Sequence, residues 1–293
     1  MYDAENFDLA TENLEALGFR VKPGRFLRAR RGYLAGTDAE RAADLNAMFA
    51  DPEVDGIIAM RGGYGCARIL PLIDYPAIAR NPKVLVGYSD VTALLLAVYQ
   101  RTGLVTFHGP VANGGFNGFT AQCFRQVLMD AQPVTMRNPE QKGDHLIVTQ
   151  DRVQTLVPGK AQGILAGGNL TVLCSIVGSG YLPDWAGKIL FVEDINEEVY
   201  KIDRMLVQLK LAGVLGALRG VVVGKFTGCS PAQSYGSLTL GEVLADHLQP
   251  LGVPTFAGAM IGHIAAKFTV PIGAEAEIDA DRGTIALLHP AVR

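Results

Sequence analysis

"VLVGYSDVTALLLAVYQ", residues 84–100, decides the fold. Val84 to Val86 form a short apolar run of the kind a buried strand carries. Gly87-Tyr88-Ser89-Asp90 is a turn, and an apolar run rich in helix formers follows from Asp90 to Gln100. A strand running straight into a helix is the start of a β-α-β unit, and such units build parallel sheets with crossover helices. The turn itself is polar where its surroundings are apolar. A Gly two residues before a Ser, between strand and helix, is the local pattern of a nucleophile elbow. The strand would deliver Ser89 at its carboxyl end, and the small residue would relieve crowding. The helix N-terminus would aim the Asp90 backbone N–H at a developing oxyanion. The last Gly of the full pattern is absent, with Val91 in its place. The alternative is that Ser89 merely caps the helix, which serine does well.

The alternation extends both ways. Phe7, Ala10, Leu14 and Leu17 form a helical stripe over 3–17, ended by Gly18. "FRVKP" (19–23) reads as a short strand. "TDAERAADLNAMFAD" (37–51) opens on a Thr-x-x-Glu capping box and reads as a helix. "VDGIIAM" (54–60) is a buried-type strand, "RGGYG" (61–65) a turn, "CARILPLI" (66–73) the start of a helix, and "GLVTFHG" (103–109) a strand. Beyond about residue 130 the texture changes to short β-like runs, and a domain boundary is expected near 131–160. Helices at 169–177, 199–212 and 238–248 then alternate with strands at 188–194 and 220–226. Short strands follow near 254–258, 268–272, 275–279 and 284–288. The class is α/β.

The 293 residues suit about two domains. Hydrophobic residues make up 49% and charged residues 19%, so a core of normal size is available. A net charge of −3 leaves no electrostatic footprint for nucleic acid or an anionic membrane. The basic cluster "GRFLRARRGY" (24–33) is short and reads as a solvated loop or partner contact rather than a phosphate site. Cys66, Cys123, Cys174 and Cys229 are widely spaced, which argues against a zinc site or a disulfide framework and suits a reducing compartment. The opening residues read as an amphipathic helix rather than a signal peptide, and no apolar stretch reaches the ~18 residues of a membrane span. A cytoplasmic location is the expectation.

"MRGGYGCAR" (60–68) is the second unusual turn. Two glycines at the carboxyl end of a strand let backbone approach a ligand closely, on the edge where α/β sheets bind ligands. It is neither a phosphate loop nor a dinucleotide fingerprint, because no Gly-Lys-Ser/Thr follows and Arg68 stands where a third Gly is needed. Tyr64 stands where an elbow at Cys66 would need Gly. A purely structural turn is the other reading. A serine nucleophile needs a base and a group to orient it. Among the histidines, His263 lies in a loop before a strand, His247 reads as solvated on a polar helix face, and His108 ends a strand and reads equally as structural. His145 and His289 lie near loop ends. Glu193 and Asp194 end a buried strand, where a carboxylate needs a partner. Asp203 and Arg204 share a helix and suggest local pairing.

Taken in order, "RGGYG", "PKVLVGYSDVTALLLA", "GLVTFHGPV", "AGGNLTVL", "ILFVEDINEEVYKIDRML" and "GHIAAKFTVPIG" resemble the L,D-carboxypeptidases (murein tetrapeptide carboxypeptidases) from about residue 7 to about 273. The resemblance implies a serine peptidase that releases terminal D-alanine from a murein tetrapeptide through an acyl-enzyme. It implies a flavodoxin- or amidotransferase-like N-terminal domain over 1–135, a linker region over 136–160 and a swivelling-barrel-like C-terminal domain over 161–293. Carried over residue by residue, the triad is Ser89, Glu193 and His263, with the oxyanion donors at the backbone of Asp90 and Gly63. Arg61, Gly62 and Tyr64 would bind substrate, with Arg61 gripping its free carboxylate. No metal or organic cofactor is implied; a homodimer is. The chain departs from the pattern at Leu95, where many relatives carry His, and at Lys201, where Arg is frequent. It also lacks the strand that precedes the first helix in relatives, so either the start is truncated or the sheet has one strand fewer. Two rival readings remain: a microcin-C-immunity-like peptidase acting on aminoacyl-nucleotides, and a non-catalytic ligand-binding α/β protein. Trp185, on the loop entering the Glu193 strand, is the only tryptophan and gives no strong nucleobase signal.

Overall fold

The computed structural model describes residues 4–140, 142–231 and 236–293. The first part of the chain runs α1 (Ala4–Ala16), α2 (Asp38–Ala50), β1 (Gly56–Ile58), α3 (Cys66–Ile69), α4 (Tyr75–Arg80), β2 (Val84–Gly87), α5 (Thr92–Thr102), β3 (Thr106–His108) and α6 (Gly118–Leu128). It continues through β4 (Thr135–Arg137), β5 (Gln154–Val157), β6 (Lys160–Asn169), α7 (Leu170–Ser175), β7 (Lys188–Ile195), α8 (Val199–Leu211) and β8 (Gly220–Thr227). The last elements are α9 (Leu240–Leu248), β9 (Thr255–Ala257), β10 (Val270–Ile272), β11 (Glu275–Asp279) and β12 (Thr284–Leu287).

These strands form two sheets. One has four strands in the order β1-β2-β3-β10, the first three parallel and β10 antiparallel to β3. The other has eight, ordered β4-β12-β11-β6-β7-β8-β9-β5. Its centre, β6 to β9, is parallel, and its flanking pairs are antiparallel. The chain therefore returns late to complete the smaller sheet, and β4 and β5, from the stretch around the expected linker, close the edges of the larger one.

α5 explains the greasy run after Ser89. It packs against β2, β3 and β10 of the smaller sheet, against β6 of the larger one, and against α4 and α7. Residues from Thr92 to Val98 are all buried, as befits a helix apolar all round. A single contiguous core joins both sheets through it. Thr92, at its start, accepts the backbone N–H of Asn169 at 3.0 Å, so the end of β6 is tied to the helix that follows Ser89.

The expected capping box is present: the Thr37 hydroxyl accepts from the Glu40 N–H, and the Glu40 carboxylate accepts from the Thr37 N–H at 2.7 Å. Two expectations change. "FRVKP" joins no ladder. Its Val21 packs instead against the small cluster of Ala10, Leu14 and Ala112, and Pro23 has no N–H to donate. The helix expected from Cys66 breaks into α3, a 3-10 turn over Leu70–Leu72 and α4, because Pro71 and then Asp74-Tyr75-Pro76 restart the turn. The basic 24–33 stretch is an open loop, with Arg25 stacked on Phe26 and Arg28 on Phe7. Among the described residues no helix is long and apolar enough to cross a membrane.

Candidate active site

Ser89 stands in a 3-10 turn, Ser89–Val91, between β2 and α5. Its φ is +63°, a left-handed conformation that a non-glycine residue adopts only under constraint from its surroundings. The N-cap position belongs to Tyr88 and no side chain caps this turn, so Ser89 is free of the capping role. Gly87 is required by space: a methyl there would lie 2.7 Å from Val91 Cγ1. The glycine turn after β1 comes directly against the serine. A methyl on Gly62 would lie 2.8 Å from Ser89 Cβ and 3.0 Å from its Oγ. Asp90 locks the two turns together, its carboxylate accepting the Cys66 N–H at 2.9 Å. Neither the Asp90 nor the Gly63 N–H is taken up by an acceptor among the described residues. Burial, reinforced by Asp90, pushes the Cys66 thiol well above its ordinary value and leaves it an inert core group.

Glu193 lies near the carboxyl end of β7 and is fully buried. Its Oε2 is 2.7 Å from His263 Nδ1, so that nitrogen donates to the carboxylate and Nε2 is left for a second partner. Two glycines make this possible. A methyl on Gly262 (φ +129°) would lie 3.0 Å from Glu193 Oε2, and one on Gly224 would lie 2.5 Å from Ile261 O. Asp194, the neighbouring carboxylate, solves its burial differently. It accepts from Asn169 Nδ2, the Thr171 N–H and hydroxyl, and the Ile195 N–H. That full set of donors makes it a structural brace for the start of α7.

Ser89 and the Glu193–His263 pair come together through Tyr88, whose ring centroid is 4.8 Å from the His263 ring. No hydrogen bond joins Ser89 Oγ to His263 in this structure, whereas the Glu193–His263 bond is closed. Arg61 and Tyr64 flank the two glycines, of which Gly62 lies against Ser89. The Arg61 guanidinium donates to Gly62 O at 3.2 Å and to Tyr33 O at 3.5 Å. Tyr33, Arg61, Gly63 and Tyr64 line an open groove of about 410 Å³.

The remaining histidines play other parts. His247 is not solvated: its Nε2 lies 2.6 Å from Asp203 Oδ1, so Asp203 pairs across to α9 rather than with Arg204, which stacks on Tyr200. His145 and His289 are exposed. His108 is buried with no partner for either ring nitrogen, and burial pushes its value down to about 3, so it stays neutral. Trp185 is buried and offers no open stacking face. Among the described residues no cluster of His, Cys, Asp and Glu could hold a metal ion.

Sequence reasoning passed over Lys267. It is buried at 7% exposure, and its ammonium lies 4.0 Å from the centroid of the Tyr88 ring. A lysine inside the apolar run "IAAKFTVPIG" was the available signal.

A serine at a strand–turn–helix bend thus lies one residue from the ring that packs on a buried Glu–His pair, on a mixed α/β scaffold. Profiles of the LD-carboxypeptidase N-terminal and C-terminal domains match residues 1–109 and 162–278. The chain belongs to the LD-carboxypeptidase family and is an enzyme of that kind. A probable murein peptide carboxypeptidase of Bacillus subtilis is 42% identical over 286 residues, covering 96% of this chain and 86% of that protein. A solved structure of the microcin C7 self-immunity protein MccF, in an inactive mutant apo state, matches with a TM-score of 0.88 at 28% identity, covering 98% and 92% of the two chains. A muramoyltetrapeptide carboxypeptidase from Oxalobacter formigenes matches with a TM-score of 0.81 at 28% identity, covering 98% and 94%.

Proposed function

We propose that this enzyme hydrolyses the L,D-amide bond of a murein tetrapeptide and releases its terminal D-alanine. The observation that carries the reading is the closed Glu193–His263 pair set against the Tyr88-Ser89 elbow. His263 Nε2 takes the Ser89 proton as Ser89 Oγ forms a bond to the scissile carbonyl carbon. The Asp90 and Gly63 N–H groups receive the oxyanion, each worth about 3 kcal/mol in comparable sites. The amide C–N bond then breaks, and the proton passes from His263 to the departing D-alanine amine. Water repeats the sequence on the acyl-enzyme. Glu193 keeps the imidazole in the tautomer this requires. The higher identity to a murein peptide carboxypeptidase supports this substrate over the aminoacyl-nucleotide alternative, and the buried Trp185 weighs against a nucleobase platform. A homodimer turning over wall peptides in the cytoplasm belongs to the same proposal.

The test is incubation with L-Ala-γ-D-Glu-meso-diaminopimelate-D-Ala, with D-alanine release followed by mass spectrometry. Release supports the reading. Silence from folded enzyme, with cleavage of an aminoacyl-sulfamoyl nucleoside, would replace it. Arg61 supplies a finer check. As the carboxylate clamp it should, on change to Ala, raise KM about tenfold for the free-carboxylate substrate and leave the amidated one unaffected. Equal KM changes for both would remove the clamp.

A further inference from the structure

Glu193 poses an electrostatic problem that its bond to His263 does not solve. A fully buried carboxylate is costly unless a full set of hydrogen bonds or an opposite charge compensates it. Its Oε1 has no hydrogen-bond partner, and its one close partner is His263. If His263 supplied the compensating charge it would hold a proton at rest, and an imidazolium cannot accept the serine proton. A second cation nearby would let Glu193 stay ionised while His263 stays neutral.

Lys267 is placed to be that cation. Its main chain is fixed by a 3.1 Å bond from its N–H to Thr120 Oγ1, a hydroxyl that itself donates to Ala265 O. Its ammonium rests on the Tyr88 ring, 4.0 Å from the centroid, and among the described residues no oxygen accepts a hydrogen bond from it. The same ring is 4.8 Å from His263 and 6.0 Å from His108. The titratable groups around Lys267 are thus Glu193 from β7, His108 from β3, His263 from its loop, and Tyr88 after β2. Only Glu193 offers it a negative charge, and that charge favours the ammonium while burial opposes it. His108 feels the ammonium as a repulsion.

We infer that Lys267 is a positioning residue for protons. Its ammonium, held on the Tyr88 ring, compensates the buried Glu193 carboxylate and so keeps His263 unprotonated and able to serve as base. This inference rests on the proposed roles of Ser89, Glu193 and His263. Burial brings Lys267 down to about 8, so it is a cation below that pH and neutral above it. The resting base is therefore protected on the acid and neutral side, and the protection lapses as pH rises through about 8.

The experiment is an NMR titration of the His263 ring in protein labelled with ¹⁵N-histidine, assigned with His263→Ala. Wild type is compared with Lys267→Met, which keeps length without charge, and Lys267→Arg, which stays cationic. In Lys267→Met, His263 should hold its proton to a pH about one unit higher than in wild type. In Lys267→Arg it should titrate with wild type below pH 8. Lys267→Met should melt below wild type at pH 7, because the buried Glu193 carboxylate loses its cation; a native-like, dispersed set of histidine resonances in the same spectra shows that the variant is folded, so a shift is not a sign of unfolding. Where D-alanine release is measurable, the acid limb of kcat/KM should move upward by about one pH unit in Lys267→Met, so that the loss approaches about tenfold well down that limb. Unchanged His263 titration in Lys267→Met overturns the inference. The titration reads Lys267 even if no D-alanine is released, so that failure would fall on the substrate reading alone.

Discussion

Ser89→Ala should lower D-alanine release by roughly 10⁴-fold or more while leaving the fold in place. The hydroxyl makes no capping bond, so its loss removes no support from α5. Alanine inherits the same strained φ of +63°, and the melting temperature should stay within the range of an ordinary surface change, about 0.5 kcal/mol. Glu193→Gln is the sharper companion. It keeps shape but presents either an amide N–H or a weaker acceptor to His263 Nδ1, 2.7 Å away in the wild type, and so loosens the hold on the useful tautomer. A loss of roughly 10⁴-fold is expected there too. The double variant should be little worse than either alone, since the residues act as a unit. Turnover by mass spectrometry and thermal melts check both claims. Activity near wild type in folded Ser89→Ala would sink Ser89 as nucleophile; additive losses would break the unit.

Much of the site was legible because its signals are local. A Gly-x-Ser between an apolar strand and an apolar helix announces an elbow, and the capping box at Thr37 announces a helix start, each within a few residues. Glu193 was legible as a problem rather than an answer: two carboxylates ended a buried run, and only tertiary structure could show Asp194 satisfied by four donors and one oxygen of Glu193 paired with His263. Distant partnerships escaped. His247 looked solvated because its partner Asp203 is 44 residues away on another helix. α6 was passed over, although Asn117 caps it by accepting the Thr120 N–H. β10 reads as one more short strand, and nothing in its residues says that it completes the smaller sheet beside β3. Lys267 was missed because a lysine is ordinarily read as surface, and its burial follows from the path of the chain between His263 and β10.

Gly167→Ala should be the most damaging change to stability, and the reason lies in the sheet rather than the site. Gly167 sits opposite Phe191 in the parallel pairing of β6 with β7, at φ +154°. A methyl there would lie 1.8 Å from Phe191 O, 2.8 Å from its carbonyl carbon and 2.9 Å from its nitrogen. All three are backbone atoms, so no side-chain rotation relieves the clash, and the two central strands must part. Two residues on, Asn169 pairs with Glu193 in the same ladder, and its N–H is bonded to Thr92 behind Ser89. Parting the strands therefore also displaces the Glu193 carboxylate from His263. A cost of about 3–5 kcal/mol is expected, a large share of the total for a domain, with a fall in melting temperature of about 10 °C. Gly118→Ala is the control: it opens α6, nothing lies within 4 Å of the added methyl, and a helix favours alanine over glycine. It should leave melting unchanged or raise it slightly. Equal melting of the two variants would show that β6 and β7 can separate without cost, and the close approach at Gly167 would then not be what holds Glu193 in place.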